Sequence, residues 1–319
     1  MSQTIDLKQT AELLSEKDRF ALICHASPDG DTLGGAFALC HALQKLQKSS
    51  KVITPEAPSK RFDYLKNGLE IQDFEEEFII SVDVADAALF GDMENEYKDK
   101  IDLCIDHHVS NTGYAGKLLL DKNAAAACEV VLELIKELSR LHKTELMNTD
   151  IAACLYTGIS TDTGCFRFAN TNADSHRRTA ELMEYNFDCA GLNYLLFEMR
   201  TVHRIELEKK AFESTEYAFG GKCAMIILTK EMLSGADEED INAISSLPRQ
   251  IQGVELGVTF KEKEANIWKI SLRSNNYIDS RQICSNLGGG GHKRAAGCRL
   301  KGSFDECKQK LLNEIEQFI

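Results

Sequence analysis

Apolar and polar positions in the first half of the chain alternate between short apolar runs and longer stretches of helical spacing. The short runs have the length and composition of buried strands and are RFALICHA (19–26), EFIISVDVAD (77–86), IDLCIDHH (101–108) and KLLLD (117–121). Apolar residues repeat at helical spacing in DTLGGAFALCHALQKL (31–46), AAAACEVVLELIKELSRL (124–141) and DIAACLYTGISTD (150–162). Because this alternation is typical of βαβ units, it predicts an α/β fold built on a Rossmann-like parallel sheet.

The second half has a different rhythm and predicts a smaller α/β domain. Its predicted strands are KCAMIIL (222–228), VELGVTF (254–260) and IWKISLRS (267–274). Its predicted helices are DEEDINAISSLP (237–248), DSRQICSNL (279–287) and SFDECKQKLLNEIEQFI (303–319), the last with Ser303 as its N-cap. The intervening segment is helical in pattern and charged on one side. We therefore predict a larger domain over residues 1–191, a helical linker over 192–219 and the smaller domain over 220–319.

The composition is that of a globular protein, with 319 residues, 43% of them hydrophobic, and a net charge of −13. No apolar run approaches the length of a membrane span and the first residues lack a basic-then-apolar signal, so we predict a cytoplasmic protein that does not enter a membrane. The 11 cysteines are scattered without a CxxC pair. This spacing disfavours structural zinc and predicts buried free thiols in a reducing compartment.

Charge is unevenly distributed along the chain. The acidic total disfavours a long nucleic-acid track, since each neutralised phosphate needs a local Lys or Arg. Between residues 265 and 304, however, the single acid Asp279 stands among these bases: Lys269, Arg273, Arg281, Lys293, Arg294, Arg299 and Lys301. A small anionic ligand suits this segment better than a long duplex.

Acidic residues and histidines follow three of the predicted strands, at the points where the strands end. They are His25, Asp29 and Asp31 after the first strand, Asp83 after the second, and Asp106, His107 and His108 after the third. Asp162 ends a helical run just before a glycine turn and could reach the same edge. Because ligands of a parallel α/β sheet bind outside the carboxyl ends of its strands, we expect these side chains to converge.

Each of these residues alone has an ordinary structural interpretation. Asp31 and Asp86 could cap helices, and a lone histidine is more often a hydrogen-bonded structural residue than a metal ligand. Together, five carboxylates and three histidines at one edge would repel one another and lose solvation unless cations offset them. The set therefore predicts two divalent cations. Mixed imidazole and carboxylate ligands favour Mn²⁺, with Mg²⁺, Fe²⁺ and Zn²⁺ as alternatives.

In this pattern the chain resembles the DHH phosphoesterases, a family named after the triplet that stands here as Asp106-His107-His108. The similarity extends to His25-x-x-x-Asp29-x-Asp31, to Asp83 and to Asp162-Thr163-Gly164. The segment GGGGHKRAAG (288–297) resembles the signature of the DHH-associated C-terminal domain. Within the family, the two-domain form of this length is similar to the nano-RNase type, which comprises bifunctional oligoribonucleases and phosphoadenosine phosphate (pAp) phosphatases.

The resemblance implies a ligand set for each of two metal ions. The first set is His25, Asp29 and Asp83, and the second is Asp31, Asp83, His107 and Asp162, so that Asp83 bridges. Asp106 is then expected to orient a histidine, and His108 to donate to a phosphoryl oxygen or to the leaving group. A hydroxide that bridges the two ions is expected to attack the phosphorus.

The resemblance also implies a phosphate site in the smaller domain. Its expected members are Arg273, Ser274, Gly289, Gly290, Gly291 and His292. Backbone N–H groups of a glycine run can approach an anion closely, and an arginine can bind a phosphate through two hydrogen bonds. The expected substrates are short RNA oligonucleotides or pAp, bound by closure of the two domains about the linker. In the larger domain, Phe166 and Phe168 could pack as core residues of a strand, or one of them could stack on a base.

Two other functions stay open from the sequence. A phosphodiesterase of cyclic di-AMP or linear pApA would carry the same motifs. A non-catalytic nucleotide- or RNA-binding protein of the same fold would need a broken metal position, and none is broken here. The sequence leaves the in-cell metal, the polarity of cleavage and the oligomeric state open, including a homodimer.

Overall fold

The computed structural model describes residues 2–236 and 238–319, apart from the side chains of residues 238, 239 and 292. The chain divides into two compact units, Met1–Met199 and Arg200–Ile319. This division lies inside the predicted linker 192–219. That segment is not one continuous helix, because the backbone is extended at Met199 and its last residues enter a strand.

The first unit is built on a six-stranded sheet with the strand order β1-β6-β5-β4-β2-β3, in which every neighbouring pair is parallel. Its strands are β1 (Gln3–Thr4), β2 (Phe20–Ile23), β3 (Ser50–Ile53), β4 (Phe78–Val82), β5 (Leu103–Asp106) and β6 (Lys117–Leu120). Strands β2, β4 and β5 are buried along their whole length. Continuous burial explains why their sequences are apolar runs rather than alternating patterns.

Seven α-helices accompany this sheet in the described part of the first unit. They are α1 (Leu7–Glu16), α2 (Gly30–Lys45), α3 (Glu94–Tyr97), α4 (Ala127–His142), α5 (Thr149–Asp162), α6 (Ala173–Met183) and α7 (Cys189–Asn193). Further helical turns cover Lys60–Lys66, Ala87–Met93 and, as a π-helix, Tyr194–Glu198. No strand forms around Phe166 and Phe168, where the chain turns instead. Phe166 packs partly buried on the core, whereas Phe168 is 48% exposed.

Helices α2, α4 and α5 approach one another closely through glycines. A Cβ atom on Gly34 of α2 would collide with the backbone carbonyl of Cys154 in α5. A Cβ atom on Gly158 of α5 would lie 2.6 Å from an oxygen of Asp31 and would also collide with Cys128 of α4. Because both side chains are absent, the N-terminal ends of α2 and α4 meet beside α5, next to the carboxyl edge of the sheet.

The second unit has a mixed sheet in the order β11-β12-β10-β9-β8-β7, in which β8 and β9 are parallel. Its strands are β7 (Glu216–Ala218), β8 (Cys223–Leu228), β9 (Leu256–Glu264), β10 (Ile267–Ser274), β11 (Gly290–His292) and β12 (Ala295–Lys301). Its helices are α8 (Val202–Glu213), α9 (Glu238–Ile244), α10 (Ser280–Asn286) and α11 (Phe304–Ile315), with 3₁₀ turns at Phe219–Gly221 and Pro248–Gln250. The predicted cap of α11 is confirmed, since the Ser303 hydroxyl accepts from the N–H of Glu306.

The predicted fold class, a parallel α/β domain with a second smaller α/β domain, is confirmed. Every cysteine is a free thiol, and Cys24, Cys40, Cys104 and Cys154 are buried as expected. In residues 2–236 and 238–319, no helix combines the length and the apolar character that crossing a bilayer requires.

Candidate metal centre

The predicted metal-type side chains lie at the carboxyl ends of three adjacent strands, β2, β4 and β5. His25 follows β2, Asp83 follows β4, and the triplet that begins at Asp106 ends β5. Asp162 is the last residue of α5 and reaches the same edge from the side. The parallel arrangement brings together strand-end residues up to 83 positions apart, from His25 to His108, because the three strands end on the same side.

The first turn of α2 supplies two carboxylates. Asp29 is the N-cap, and its Oδ1 accepts hydrogen bonds from the N–H groups of Asp31 (3.0 Å) and Thr32 (3.3 Å). Asp31, which was open to being a cap, lies inside the helix and is 1% exposed. Its two oxygens accept from the N–H groups of Ala127 (2.6 Å) and Cys128 (2.9 Å) at the start of α4. The α4 N-terminus thereby stabilises the charge of Asp31.

Asp83 lies between the other members of the cluster. Its backbone has a φ of 61°, a left-handed conformation that is uncommon for an aspartate and that turns the chain sharply at the end of β4. One oxygen, Oδ2, is 3.9 Å from Nε2 of His25, and the other, Oδ1, is 3.5 Å from Nε2 of His107. Asp83 therefore touches two groups of potential ligands at once.

Backbone carbonyls orient the two histidines. Nδ1 of His25 is 2.7 Å from the carbonyl oxygen of Ala26, and Nδ1 of His107 is 3.1 Å from that of Ala124. Because a carbonyl only accepts, Nδ1 carries the proton in each ring. Nε2 is left to face the carboxylates, which is the orientation that a metal-binding histidine needs.

Donor atoms fall into two main groups, within each of which they lie no more than 4.8 Å apart: His25, Asp29 and Asp83, and Asp31, His107 and Asp162. In the second group, Nε2 of His107 is 3.9 Å from Oδ2 of Asp31 and 3.7 Å from Oδ2 of Asp162. A third, overlapping group contains Asp83, His107 and His108. All six residues predicted as metal ligands are thus brought together.

The electrostatics of the cluster indicate a deficit of positive charge. Burial, followed by the neighbouring carboxylates Asp31 and Asp29, raises the pKa of Asp83 well above its usual value. Burial and the charge of Asp31 raise the pKa of Asp162 to about 7. Although burial lowers it, the hydrogen bond and charge of Asp29 raise the pKa of His25 to about 9. In the absence of a cation, protons supply the missing charge.

Two buried atoms in the cluster indicate whether its residues suit metal cations. Oδ1 of Asp83 and Nε2 of His107 have no hydrogen-bond partner among the described residues. Leaving a buried acceptor unpaired costs about 1–3 kcal/mol. Oδ1 of Asp83 faces Nε2 of His107 and Nδ1 of His108, and Nε2 of His107 also faces the carboxylates of Asp31 and Asp162. A divalent cation would satisfy both atoms and offset the surplus negative charge. The donor atoms therefore fit divalent metal ions.

Asp106 and His108 form a separate contact beside the cluster. Oδ1 of Asp106 accepts from Nδ1 of His108 at 2.8 Å and from the N–H of His107 at 2.8 Å. Its Oδ2 accepts from Nδ2 of Asn111 at 2.6 Å. Asp106 is fully buried, whereas the side chain of His108 is 42% exposed. The hydrogen bond to Asp106 raises the pKa of His108 against the effect of burial.

The second unit places the glycine segment at the edge of its sheet. Gly290 pairs with Gly297 in the β11–β12 ladder, and Gly288 and Gly291 have φ values of 77° and 139°, which favour glycine. A side chain on Gly289 would collide with the carbonyl of Gly297. Glycines therefore let this exposed segment lie against β12 with its backbone accessible.

The other predicted phosphate ligands lie next to this segment. Arg273 is half-buried on β10 and pairs with Ala295 of β12. Ser274 is 4% exposed, and its hydroxyl donates to the carbonyl oxygen of Lys293 at 3.5 Å. In this conformation the hydroxyl is hydrogen-bonded to the backbone, and its contact with a phosphate stays a prediction. The predicted contact of His292 falls on a side chain outside those described.

Two asparagines hold the centre in place and were missed from the sequence. Asn111 donates to Asp106, and Asn170 donates from Nδ2 to Oδ2 of Asp162 at 3.2 Å and to the carbonyl of Ala125 at 3.0 Å. Both stand in polar loops, where asparagine is common as a turn residue. Only the contact itself distinguishes them, and no spacing in the sequence signals it.

Two family models match the chain. The DHH family N-terminal domain matches residues 19–159, and the DHHA1 domain matches residues 225–319. The first range contains the ends of β2, β4 and β5, and the second contains the glycine segment. The two matched families thus correspond in order to the two units of the structure.

Curated relatives and a solved structure extend the similarity over nearly the whole chain. The chain is 30% identical over 299 residues to the bifunctional oligoribonuclease and PAP phosphatase NrnA of Thermus thermophilus, which covers 92% of this chain and 88% of that protein. It is 27% identical over 308 residues to the protein of the same name from Bacillus subtilis, covering 95% of each. An exopolyphosphatase-related protein from Bacteroides fragilis superposes with a TM-score of 0.88 at 21% identity, over 98% of this chain and 95% of that one, which shows a shared fold.

Proposed function

Because the chain belongs to the DHH family, with a DHHA1 domain after its DHH domain, we propose that it is a metal-dependent phosphoesterase that hydrolyses short oligoribonucleotides to mononucleotides, dephosphorylates pAp, or does both. The names of the relatives from two bacteria support these substrates, and the similarity covers nearly full length on both sides. The observation that carries the proposal is a pair of buried atoms, Asp83 Oδ1 and His107 Nε2, which lie 3.5 Å apart and have no hydrogen-bond partner among the described residues.

We assign the cluster to two divalent cations. His25, Asp29 and Asp83 hold the first, and Asp31, Asp83, His107 and Asp162 hold the second. Manganese is the proposed metal because imidazole nitrogen and carboxylate oxygen occur together and no thiolate is part of the cluster. When bound, the two ions supply Lewis acidity toward phosphoryl oxygens and lower the pKa of a bound water.

In this proposal His108 is the proton donor of the reaction, and Asp106 orients it. Asp106 accepts from Nδ1 of His108, fixes the ring and favours its protonated form. Because the ring is partly exposed, Nε2 is available to donate a hydrogen bond to a phosphoryl oxygen or a proton to the leaving oxygen. Asn111 keeps the second oxygen of Asp106 occupied, so that the first stays on His108.

The second unit supplies a phosphate-binding site in the same proposal. In this proposal the exposed segment of Gly289, Gly290 and Gly291 and the guanidinium of Arg273 bind a terminal phosphate of the substrate. The N–H of Gly289 already donates to the carbonyl oxygen of Cys284 at 2.7 Å, so the segment contacts the phosphate through its other groups. The basic composition of residues 265–304 supports an anionic ligand at this unit. A limited site of this kind suits a short substrate better than a long duplex.

The test is the release of mononucleotides from a labelled RNA trimer and of phosphate from pAp, each with and without Mn²⁺. We expect metal-dependent turnover by the wild-type chain and a loss of at least about a hundredfold in Asp83→Ala. Asp86→Ala is the matched control, since Asp86 lies three residues away and only caps the turn that follows. Absence of turnover on both substrates, or undiminished turnover by Asp83→Ala, rejects the proposal. Cyclic di-AMP and linear pApA belong in the same substrate series.

A further inference from the structure

Arg249 and Arg273 are neighbours in the second unit because of a glycine between them. Arg273 on β10 pairs with Gly257 on β9. A Cβ atom on Gly257 would lie 2.5 Å from the backbone nitrogen of Arg249 and 3.0 Å from its Cα. The missing side chain therefore lets the 3₁₀ turn that contains Arg249 lie directly on β9, beside the position from which Arg273 projects.

The two guanidinium groups lack carboxylate partners among the described residues. The hydrogen bonds that they make go to neutral acceptors: Nη1 of Arg249 donates to Oδ1 of Asn275 at 3.4 Å, and Nη1 of Arg273 donates to the carbonyl oxygen of Leu272 at 3.1 Å. Both residues are half-buried. Burial, followed by the charge of Arg249, lowers the pKa of Arg273. Most of the hydrogen-bond donors of the two arginines therefore have no partner in the part of the chain that the structure describes.

The backbone of Arg249 is held firmly in this position. Nδ2 of Asn275 donates to the carbonyl oxygen of Arg249 at 2.7 Å and to that of Val254 at 2.8 Å. Asn275 comes two residues after Arg273 on the same chain segment. One asparagine thus ties the turn of Arg249 to the end of β10, so that the backbone positions of the two arginines are set before any ligand binds.

Arg249 also lines a cavity of about 660 Å³, together with Lys222, Asn275 and Tyr277. Glu255 is the acid in this lining. Its Oε1 already accepts from the N–H groups of Tyr277 at 2.7 Å and Ile278 at 3.1 Å, and it is 4% exposed. The carboxylate of Glu255 therefore accepts hydrogen bonds from the backbone and does not pair with Arg249. The positive charge of Arg249 and Lys222 in the cavity lining is not neutralised by it.

We propose that Arg249 and Arg273 together bind a terminal phosphate monoester of a nucleotide, and that Arg249 makes this site prefer a phosphate monoester over a diester. The inference rests on the proposed function for the role of Arg273 and adds Arg249 as a specificity-determining residue. A terminal monoester carries close to two negative charges above its second pKa of about 6, whereas an internal diester carries one. Two unneutralised guanidinium groups match the dianion, and one matches the diester.

The test compares the binding of 5′-AMP with that of its 5′-phosphate methyl ester at pH 8, by calorimetry on the full-length chain with Mn²⁺ present. We expect the wild type to bind 5′-AMP at least about tenfold more tightly than the ester. Arg249→Gln should lose most of this preference, and Arg249→Lys should keep part of it, because the lysine retains the charge but not the two-pronged geometry. The preference of the wild type should shrink at pH 5, where the monoester carries one charge.

Arg281→Gln is the matched control, since Arg281 is an exposed arginine of the same basic segment and already pairs with Asp279. It should keep the wild-type preference. Equal binding of the two ligands by the wild type, or a full preference in Arg249→Gln, overturns the inference whatever the hydrolysis assays give. A preference that depends on Arg249 in a chain without turnover supports the inference and rejects the proposed phosphoesterase instead.

Discussion

The carboxylate of Asp106 holds the imidazole of His108 through a 2.8 Å hydrogen bond to Nδ1, while the opposite side of the ring reaches solvent. The two residues are separated by a single position in the sequence, yet one is fully buried and the other is open. This contrast lets a fixed negative charge act on an accessible proton donor.

Replacing Asp106 with Asn should therefore affect proton transfer more than metal binding. The amide cannot supply the charge that raises the pKa of His108, so the protonated ring is lost at a lower pH than in the wild type. We expect turnover at pH 8 to fall about a hundredfold and the alkaline limb of the pH profile to move to lower pH. The pH dependence of kcat, measured with the bound metal content as control, checks this. A profile that scales down without moving would contradict the assigned role.

Metal binding should release protons at pH 7.5. His25 has a pKa raised to about 9, and Asp162 one raised to about 7, so the metal-free cluster holds protons that cations must displace. Calorimetric titration of the metal-free chain with Mn²⁺ should therefore give heats that depend on the ionisation enthalpy of the buffer. We expect about one proton or more released per chain. Heats that are identical in HEPES and Tris would refute the protonated cluster.

Gly158→Ala should destabilise the first unit and weaken metal binding together. The added methyl group would press on Cys128 and on the Asp31 carboxylate, and overpacking of a core costs about 1–3 kcal/mol of unfolding free energy. Denaturant unfolding and Mn²⁺ affinity measure the two effects. The double variant Gly158→Ala/Cys128→Ala should recover part of the lost stability, because it removes the sulfur in the way. Purely additive losses in the two single variants would mean that the contact is not the cause.

His41, near the C-terminal end of α2, should make stability fall in mild acid. Burial lowers its pKa, against the effect of its contact with the carbonyl of Leu65, where Nε2 lies at 3.2 Å. The unfolded chain therefore binds a proton at a higher pH than the folded one, so this contribution is complete above about pH 6.5 and is lost as the pH falls through the folded pKa.

His41→Gln should flatten this decline, since glutamine can still donate to Leu65 without titrating. Thermal unfolding of the metal-free chain between pH 5 and 7.5 measures the slope, and the same replacement at the exposed His142 controls for the loss of a histidine. An equally steep decline in the His41 variant would assign the pH dependence to other groups.

The sequence predicted the strands and the sheet edge at which the acidic and histidine side chains gather, because both follow from local patterns. Each apolar run matched the pattern of a buried strand, and parallel strands place the polar residues at their carboxyl ends along one edge of the sheet. The family resemblance predicted from Asp106-His107-His108 and the glycine segment is confirmed. What the patterns could not give was the partner of each side chain, because partners come from distant segments.

Three features show where prediction from sequence stopped. Asn111 and Asn170 looked like turn residues, since their contacts with carboxylates depend on the folded path of two loops. The helical pattern of residues 192–219 concealed an extended backbone at Met199, which helix propensity does not reveal. The proximity of Arg249 to Arg273 depends on a register between strands and on the absence of one side chain at Gly257.

The first turn of α2 is hydrogen-bonded both to the end of β4 and to the start of α4. The hydroxyl of Thr32 donates to the carbonyl oxygen of Val82 at 2.7 Å, directly before Asp83, and Asp31 binds the first amides of α4. A displacement of this turn would consequently carry ligands of both proposed ions with it. Substitutions in this turn should therefore change the affinities for both proposed ions together. A substitution at Asp162, the last residue of α5, should change the affinity for the second proposed ion alone.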